Sequence, residues 1–159
     1  MATGTTEPGP GPPSWRSLVS HSPKETWAVG RSIGARLQAG DCIALTGGLG
    51  TGKTTLTQGI VAGAGGDDNV RSPTFLLHTV HPGRITVHHL DLYRLAEGSD
   101  LGGLGLEELL EDGAAVVEWA ERTSPEWFNA QIRIEALAGS SRALELRLPD
   151  RLRPFPDHG

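Results

Sequence analysis

One cysteine, Cys42, is all the chain of 159 residues contains, so no disulfide can form within it. No apolar run approaches the ~20 residues that a membrane-crossing helix requires. The first residues show neither the basic start nor the apolar core of a secretion signal. These absences exclude an internal disulfide and a membrane-crossing helix, and lead us to expect a soluble, cytoplasmic protein. Excess positive charge is missing too. With a net charge of -5 and a pI near 5.6, the chain lacks the field that grips nucleic acid unaided. DNA is not expected as a partner, and tRNA only indirectly. Cys42 lies in the apolar run CIAL with nothing beside it to lower its pKa, which predicts a buried strand residue rather than a reactive thiol.

What is present divides into three parts. Residues 1–14, MATGTTEPGPGPPS, have almost nothing apolar to bury and read as a disordered Pro/Gly-rich tail. Residues 15–150 carry one folded domain, and 151–159, with two prolines, read as a loose C-terminal tail. Within the domain, Ser22-Pro23-Lys24-Glu25 predicts a capped helix start, with Trp27, Ile33 and Leu37 on one face and Gly40 as its left-handed stop. Cys42 to Leu45 reads as a buried strand, and a second helix runs from Lys53 to the glycines at 63–66. Strands at Phe75 to Val80 and Ile85 to Leu92 flank a Pro82-Gly83 turn. A helix around Leu104 to Glu111 leads into the buried run Ala114 to Val117. Ile132 to Leu137 and Ala143 to Leu148 alternate in period two about Gly139-Ser140-Ser141, as a closing antiparallel hairpin does. The pattern predicts an α/β three-layer sandwich like that of P-loop NTPases, with a mixed, mainly parallel sheet.

The sharpest local signal is Gly47-Gly48-Leu49-Gly50-Thr51-Gly52-Lys53-Thr54, which matches G-x-x-x-x-G-K-[ST] between a strand and a helix. Glycines let successive backbone N–H groups turn inward around a phosphate, and the helix start adds partial positive charge. Lys53 is expected to neutralise the β- and γ-phosphates of ATP, and the Thr54 hydroxyl to coordinate Mg2+. Gly48, Leu49, Gly50, Thr51 and Gly52 supply backbone. Thr55 either reaches the α-phosphate or is a plain helix residue.

Hydrolysis also needs a metal-holding acid and a group that orients water. Ser72 and Thr74, around Pro73, are placed to sense magnesium or the γ-phosphate as a switch does, or form an ordinary Ser-Pro turn. Asp91 ends a strand where a metal acid sits, or caps the next helix. His88 and His89 are adjacent on that strand, face opposite sides and cannot chelate one ion together; both are expected to be structural. Glu118 ends the next buried run, suited either to polarising the attacking water or to a plain strand-end position, with Trp119 excluding solvent or filling core.

Taken together, the segments AGDCIALTGGLGTGKTTL, VRSPTFLL, HHLDLYRL and VVEWAER, coming after the first helix, resemble the TsaE (YjeE) family, the ATPase component of bacterial tRNA threonylcarbamoyl-adenosine biosynthesis. The resemblance spans about Ser22 to Trp119. It implies a small P-loop α/β domain hydrolysing ATP for TsaB–TsaD-like partner proteins. It also implies Thr54 and Asp91 on magnesium, Glu118 at the metal and in hydrolysis, and Ser72 and Thr74 as the nucleotide-sensing loop. Arg94 and Trp119 fit the family pattern without a defined role. Where the family often reads Asp-Leu-Gly-Ala-Gly-Lys, this chain has Gly48 and Thr51, a change of side chains rather than of the cradle.

Rivals share the loop but lack its company. A guanine-reading Asn-Lys-x-Asp is absent, which disfavours a GTPase. A small-molecule kinase would bring an arginine-rich lid, and none is evident between Phe75 and Leu110. A module that binds nucleotide to gate docking, without significant turnover, stays open.

Overall fold

The computed structural model describes residues 14–48, 50–67, 78–92 and 105–154, the side chain of Arg122 aside. Among these residues seven strands form one sheet: β1 (Arg16–Ser20), β2 (Cys42–Thr46), β3 (His78–His81), β4 (Thr86–Asp91), β5 (Gly113–Glu118), β6 (Ala130–Ala136) and β7 (Arg142–Arg147), in the spatial order β1-β7-β6-β2-β5-β4-β3. The central strands β6, β2, β5 and β4 pair in parallel, while β7 and β3 run against their neighbours. Since β1 opposes β7, all but β7 and β3 point the same way and end at one edge. The sheet is therefore mixed and mainly parallel, with β6–β7 as the antiparallel hairpin that the period-two alternation predicts.

Helices α1 (Pro23–Gly34) and α2 (Lys53–Gly63) cover one face, against Ile43, Leu45, Val87, Val116, Ile132 and Ile134. The short α3 (Leu106–Asp112) and the segment after β5 cover the other, where Leu106 and Phe128 meet Ala44, Ala115 and Val117. All of β5 is buried, which is why the run Ala114 to Val117 shows no alternation. Cys42 is buried as expected, and burial pushes its thiol up to about 12.

The first helix begins where its capping signal predicts. Ser22 accepts from the Glu25 N–H at 3.1 Å, and the Glu25 carboxylate reaches back to the His21 N–H, one residue earlier than a standard capping box. It ends sooner than expected, at Gly34 rather than near Gly40. Arg84 supplies the reason: its guanidinium donates to the carbonyls of Gly34 and Leu37 at 3.0 and 3.2 Å and so satisfies the orphan groups of the helix end. Gly40 does take a positive φ of 95°, but in the turn that feeds β2.

The edge strand β1 is absent from the sequence reading, because its mixed burial gives no clean alternation. The expected loose tail does not start at Arg151. Leu152 is fully buried, Arg151 donates to the buried Asp41 carboxylate at 2.8 Å, and Arg36 donates to the Arg153 carbonyl. The expected disorder of residues 1–13, the first part of the strand beginning at Phe75, and the tail from Phe155 lie outside the described residues.

Candidate functional site

The parallel strands deliver their C-terminal ends to one edge, the place where α/β sheets present ligand sites. From β2 the chain leaves at Thr46, bends through the glycine loop and enters α2 at Lys53. Two loop positions depend on glycine. Gly47 has φ of 152°, and a Cβ there would lie 2.5 Å from the Ile134 carbonyl oxygen; Gly52, which opens α2, has φ of 102°. Thr51 is buried and its hydroxyl donates to the Gly48 carbonyl at 2.9 Å, bracing the bend from inside. Among the described residues no side chain caps the start of α2, and the first turn of a helix is where backbone N–H groups and the dipole favour an anion.

Lys53 is the electrostatic centre. The residue is only 7 % exposed, and its ammonium donates to the Gly47 carbonyl at 2.8 Å and lies 4.2 Å over the Trp119 ring. Both partners are neutral, and among the described residues Lys53 forms no ion pair. A nearly buried cation whose described partners are a dipole and a π face has charge left to attract an anion.

The acids meet on the next two strands. Asp91 and Glu118 are register partners at the ends of the parallel pair β4–β5, beside the strand that carries the loop. Glu118 is buried, and its Oε2 lies 2.5 Å from Nε2 of the fully buried His89. Trp119 comes next in the left-handed region with φ of 59°, the only non-glycine residue there among the described residues. That turn carries its ring beneath Lys53, and so joins the end of β5 to the glycine loop. Thr54, Asp91 and Glu118 have the oxygen chemistry that a hard cation such as magnesium takes.

Of the residues singled out in the sequence, Gly48, Gly50, Thr51, Gly52, Lys53, Thr54 and Thr55 lie on the loop and first turn, and Asp91 and Glu118 on adjacent strand ends. Leu49, Ser72, Thr74 and Arg94 lie outside the described residues. Two participants escaped the sequence reading. Arg142, at the start of β7, donates through Nε to the Thr51 carbonyl at 2.8 Å and through Nη1 to the carbonyls of Gly139 and Ser141 at 3.1 and 2.8 Å, tying the hairpin to the loop. Nothing local signals that contact across the fold. His89, expected from the sequence to be structural, is the second through its contact with Glu118; the period-two rule, which places it on the face of Asp91, is the available clue. A cavity of about 250 Å³ on the opposite sheet face, lined by Thr46, Phe128, Gln131 and Arg133 among others, contains none of the loop residues.

Comparison with known proteins agrees in extent and in kind. The family model described as threonylcarbamoyl adenosine biosynthesis protein TsaE matches residues 20–144. The tRNA threonylcarbamoyladenosine biosynthesis protein TsaE of Treponema pallidum is 36% identical over 129 residues, covering 79% of this chain and 96% of that protein. Its namesake in Streptomyces coelicolor is 41% identical over 110 residues, covering 67% and 74%. Among solved structures, Bacillus subtilis YdiB superposes with a TM-score of 0.68 at 27% identity, covering 88% of this chain and 90% of the other.

Proposed function

The chain belongs to the TsaE family, and from that membership we propose that it is the ATP-binding and ATP-hydrolysing subunit required for threonylcarbamoyl-adenosine modification of tRNA, acting on a TsaB–TsaD-like partner complex. The carrying observation is Lys53, a nearly buried ammonium at the start of α2 whose partners among the described residues are both neutral. A polyphosphate is the anion that suits it, because the loop offers several N–H groups at once beside that charge.

Each residue then has a task. The loop amides and Lys53 bind and orient the phosphates, with Lys53 leaving the Gly47 carbonyl for them. Thr54 and Asp91 would hold magnesium, which when bound would supply positive charge against the phosphates. Glu118 orients the attacking water and accepts its proton, and Trp119 walls off solvent. Ser72 and Thr74 complete the reading as the nucleotide-sensing loop. The net charge of -5 favours protein partners over direct hold on tRNA. Turnover by the isolated chain is slow in this reading: Arg142, beside the loop, already donates Nε and Nη1 to carbonyls and is no free arginine finger.

One observation favours a second reading. Glu118 is buried against His89, as suits a module that binds nucleotide to gate docking and turns over little. Calorimetric titration with magnesium-ATP, then hydrolysis assays with and without the partner proteins, separates the two. We expect micromolar or tighter uptake by the native chain and a loss of at least ~100-fold in Lys53→Ala, since the buried charge is the main attraction. Unchanged uptake in that variant, or none by the native chain, would overturn the proposal.

A further inference from the structure

We propose that His89 is the positioning residue for Glu118, the group that fixes which carboxylate oxygen is turned toward the nucleotide edge. The inference rests on the reading that Glu118 serves ATP hydrolysis.

The geometry is specific. His89 and Glu118 project from adjacent parallel strands, on the face where α2 packs; Val116, the register partner of His89, belongs to that face's core. His89 lies two residues before Asp91, and Glu118 is the register partner of Asp91. Glu118 is therefore bonded one rung back along β4, not level with its own partner. The contact, at 2.5 Å with side chains 0% and 4% exposed, is shut off from solvent competition. Among the described residues His89 Nδ1 has no hydrogen-bond partner, so the ring's proton is assigned to Nε2, where it is donated to Oε2.

A carboxylate on a flexible side chain ordinarily samples several rotamers, and a water-orienting base loses rate when it does. Here both ends of Glu118 are held. Its carbonyl accepts from the Leu92 N–H at 3.1 Å, and its side chain is held by the His89 ring. The ring in turn stands against His81, with centroids 6.3 Å apart. With Oε2 occupied by His89, Oε1 is the oxygen left to face water. His89 touches no phosphate in this scheme; it acts through Glu118.

The test compares His89→Gln, whose amide N–H reaches about as far as Nε2, with His89→Asn, whose shorter amide does not, and His89→Leu, which removes the donor. Magnesium-ATP affinity is read by calorimetry and turnover in the presence of the partner proteins. We expect affinity within about threefold in all variants, turnover reduced at least ~tenfold in Asn and Leu, and Gln restored to within a few-fold of native. Added to Glu118→Gln, His89→Asn should cost nothing more, because residues acting as a unit are non-additive. Imidazole proton NMR reads the contact without turnover: a far-downfield Nε2–H signal should be present in the native chain and move in Glu118→Gln. Should His89→Leu fail to fold, the Gln and Asn pair decides alone. Native turnover in His89→Asn, or a fully additive double variant, overturns the positioning role while leaving ATP hydrolysis intact. A native protein that binds ATP and shows the imidazole signal, yet never turns over with partners, overturns the hydrolytic reading and this inference with it.

Discussion

Glu118 shows how one residue can be legible in kind and illegible in contact. Its place at the end of an apolar run marks a strand-end acid; β5 does end at Glu118, and the structure adds that Asp91 is its register partner. Its bond to His89 depends on cross-strand register between segments 29 positions apart, which no local pattern encodes. For the same reason Lys53 could be chosen from its motif, but its present partners, the Gly47 carbonyl and the Trp119 ring, could not. Glu118→Gln keeps the size and loses the charge, so it separates binding from chemistry. We expect magnesium-ATP affinity within about threefold and partner-stimulated turnover reduced by ~10²–10⁴, the range for losing a general base. Calorimetry and steady-state hydrolysis measure the two quantities. Persistence of stimulated turnover would remove Glu118 from its catalytic role.

Among elements, α1 and α2 meet backbone to backbone. A Cβ on Gly59 would lie 2.1 Å from the Trp27 carbonyl oxygen, and one on Gly30 would lie 2.3 Å from that of Leu56; Gly34 and Gly63 make equally close approaches. This contact fixes α2, and with it Lys53 and the loop, against the rest of the helical layer. Two effects oppose each other in Gly59→Ala. Helix propensity favours alanine by ~1 kcal/mol, whereas overpacking against rigid backbone costs ~1–3 kcal/mol or more. With a carbonyl at 2.1 Å and no side chain able to yield, the clash wins. We expect a net loss of ~1–3 kcal/mol, read as a lower denaturation midpoint with weaker ATP uptake; a variant as stable as the native chain would show that the helices part easily. The sequence displayed the helices, their starts and both hairpins, because caps, turns and apolar periods are local. It concealed β1, the early end of α1 and the docking of Arg151 and Leu152, because each is decided by a partner remote in the chain, such as Arg84 or Asp41.

For the molecule as a whole, acid should act in two separate steps. His78, His81 and His88 all lie on the β3–β4 hairpin, and burial lowers the pKa of each; His78 and His88 also face one another, with Nε2 and Nδ1 2.9 Å apart. The unfolded chain therefore takes up protons first as pH falls below the ordinary histidine value of about 6.5. Their contribution is complete above that pH and drains away as pH falls through the lower folded values. Asp41 behaves likewise in a more acidic window. Burial would raise its carboxyl, but hydrogen bonds from Arg151, the Gln38 N–H and Asn129 outweigh it and hold the group below its usual range. Its contribution is complete above about pH 3.9 and is lost below that, through the folded value. Scanning calorimetry from pH 8 to pH 3 should thus show a fall in melting temperature beginning near neutrality and a second one in strong acid. His88→Gln should flatten the first and spare the second, whereas Arg151→Ala, which leaves Asp41 with less support, should act on the second. A melting temperature that stays level between pH 7 and pH 5.5 would mean that the hairpin histidines take up protons as readily in the folded chain as in the unfolded one.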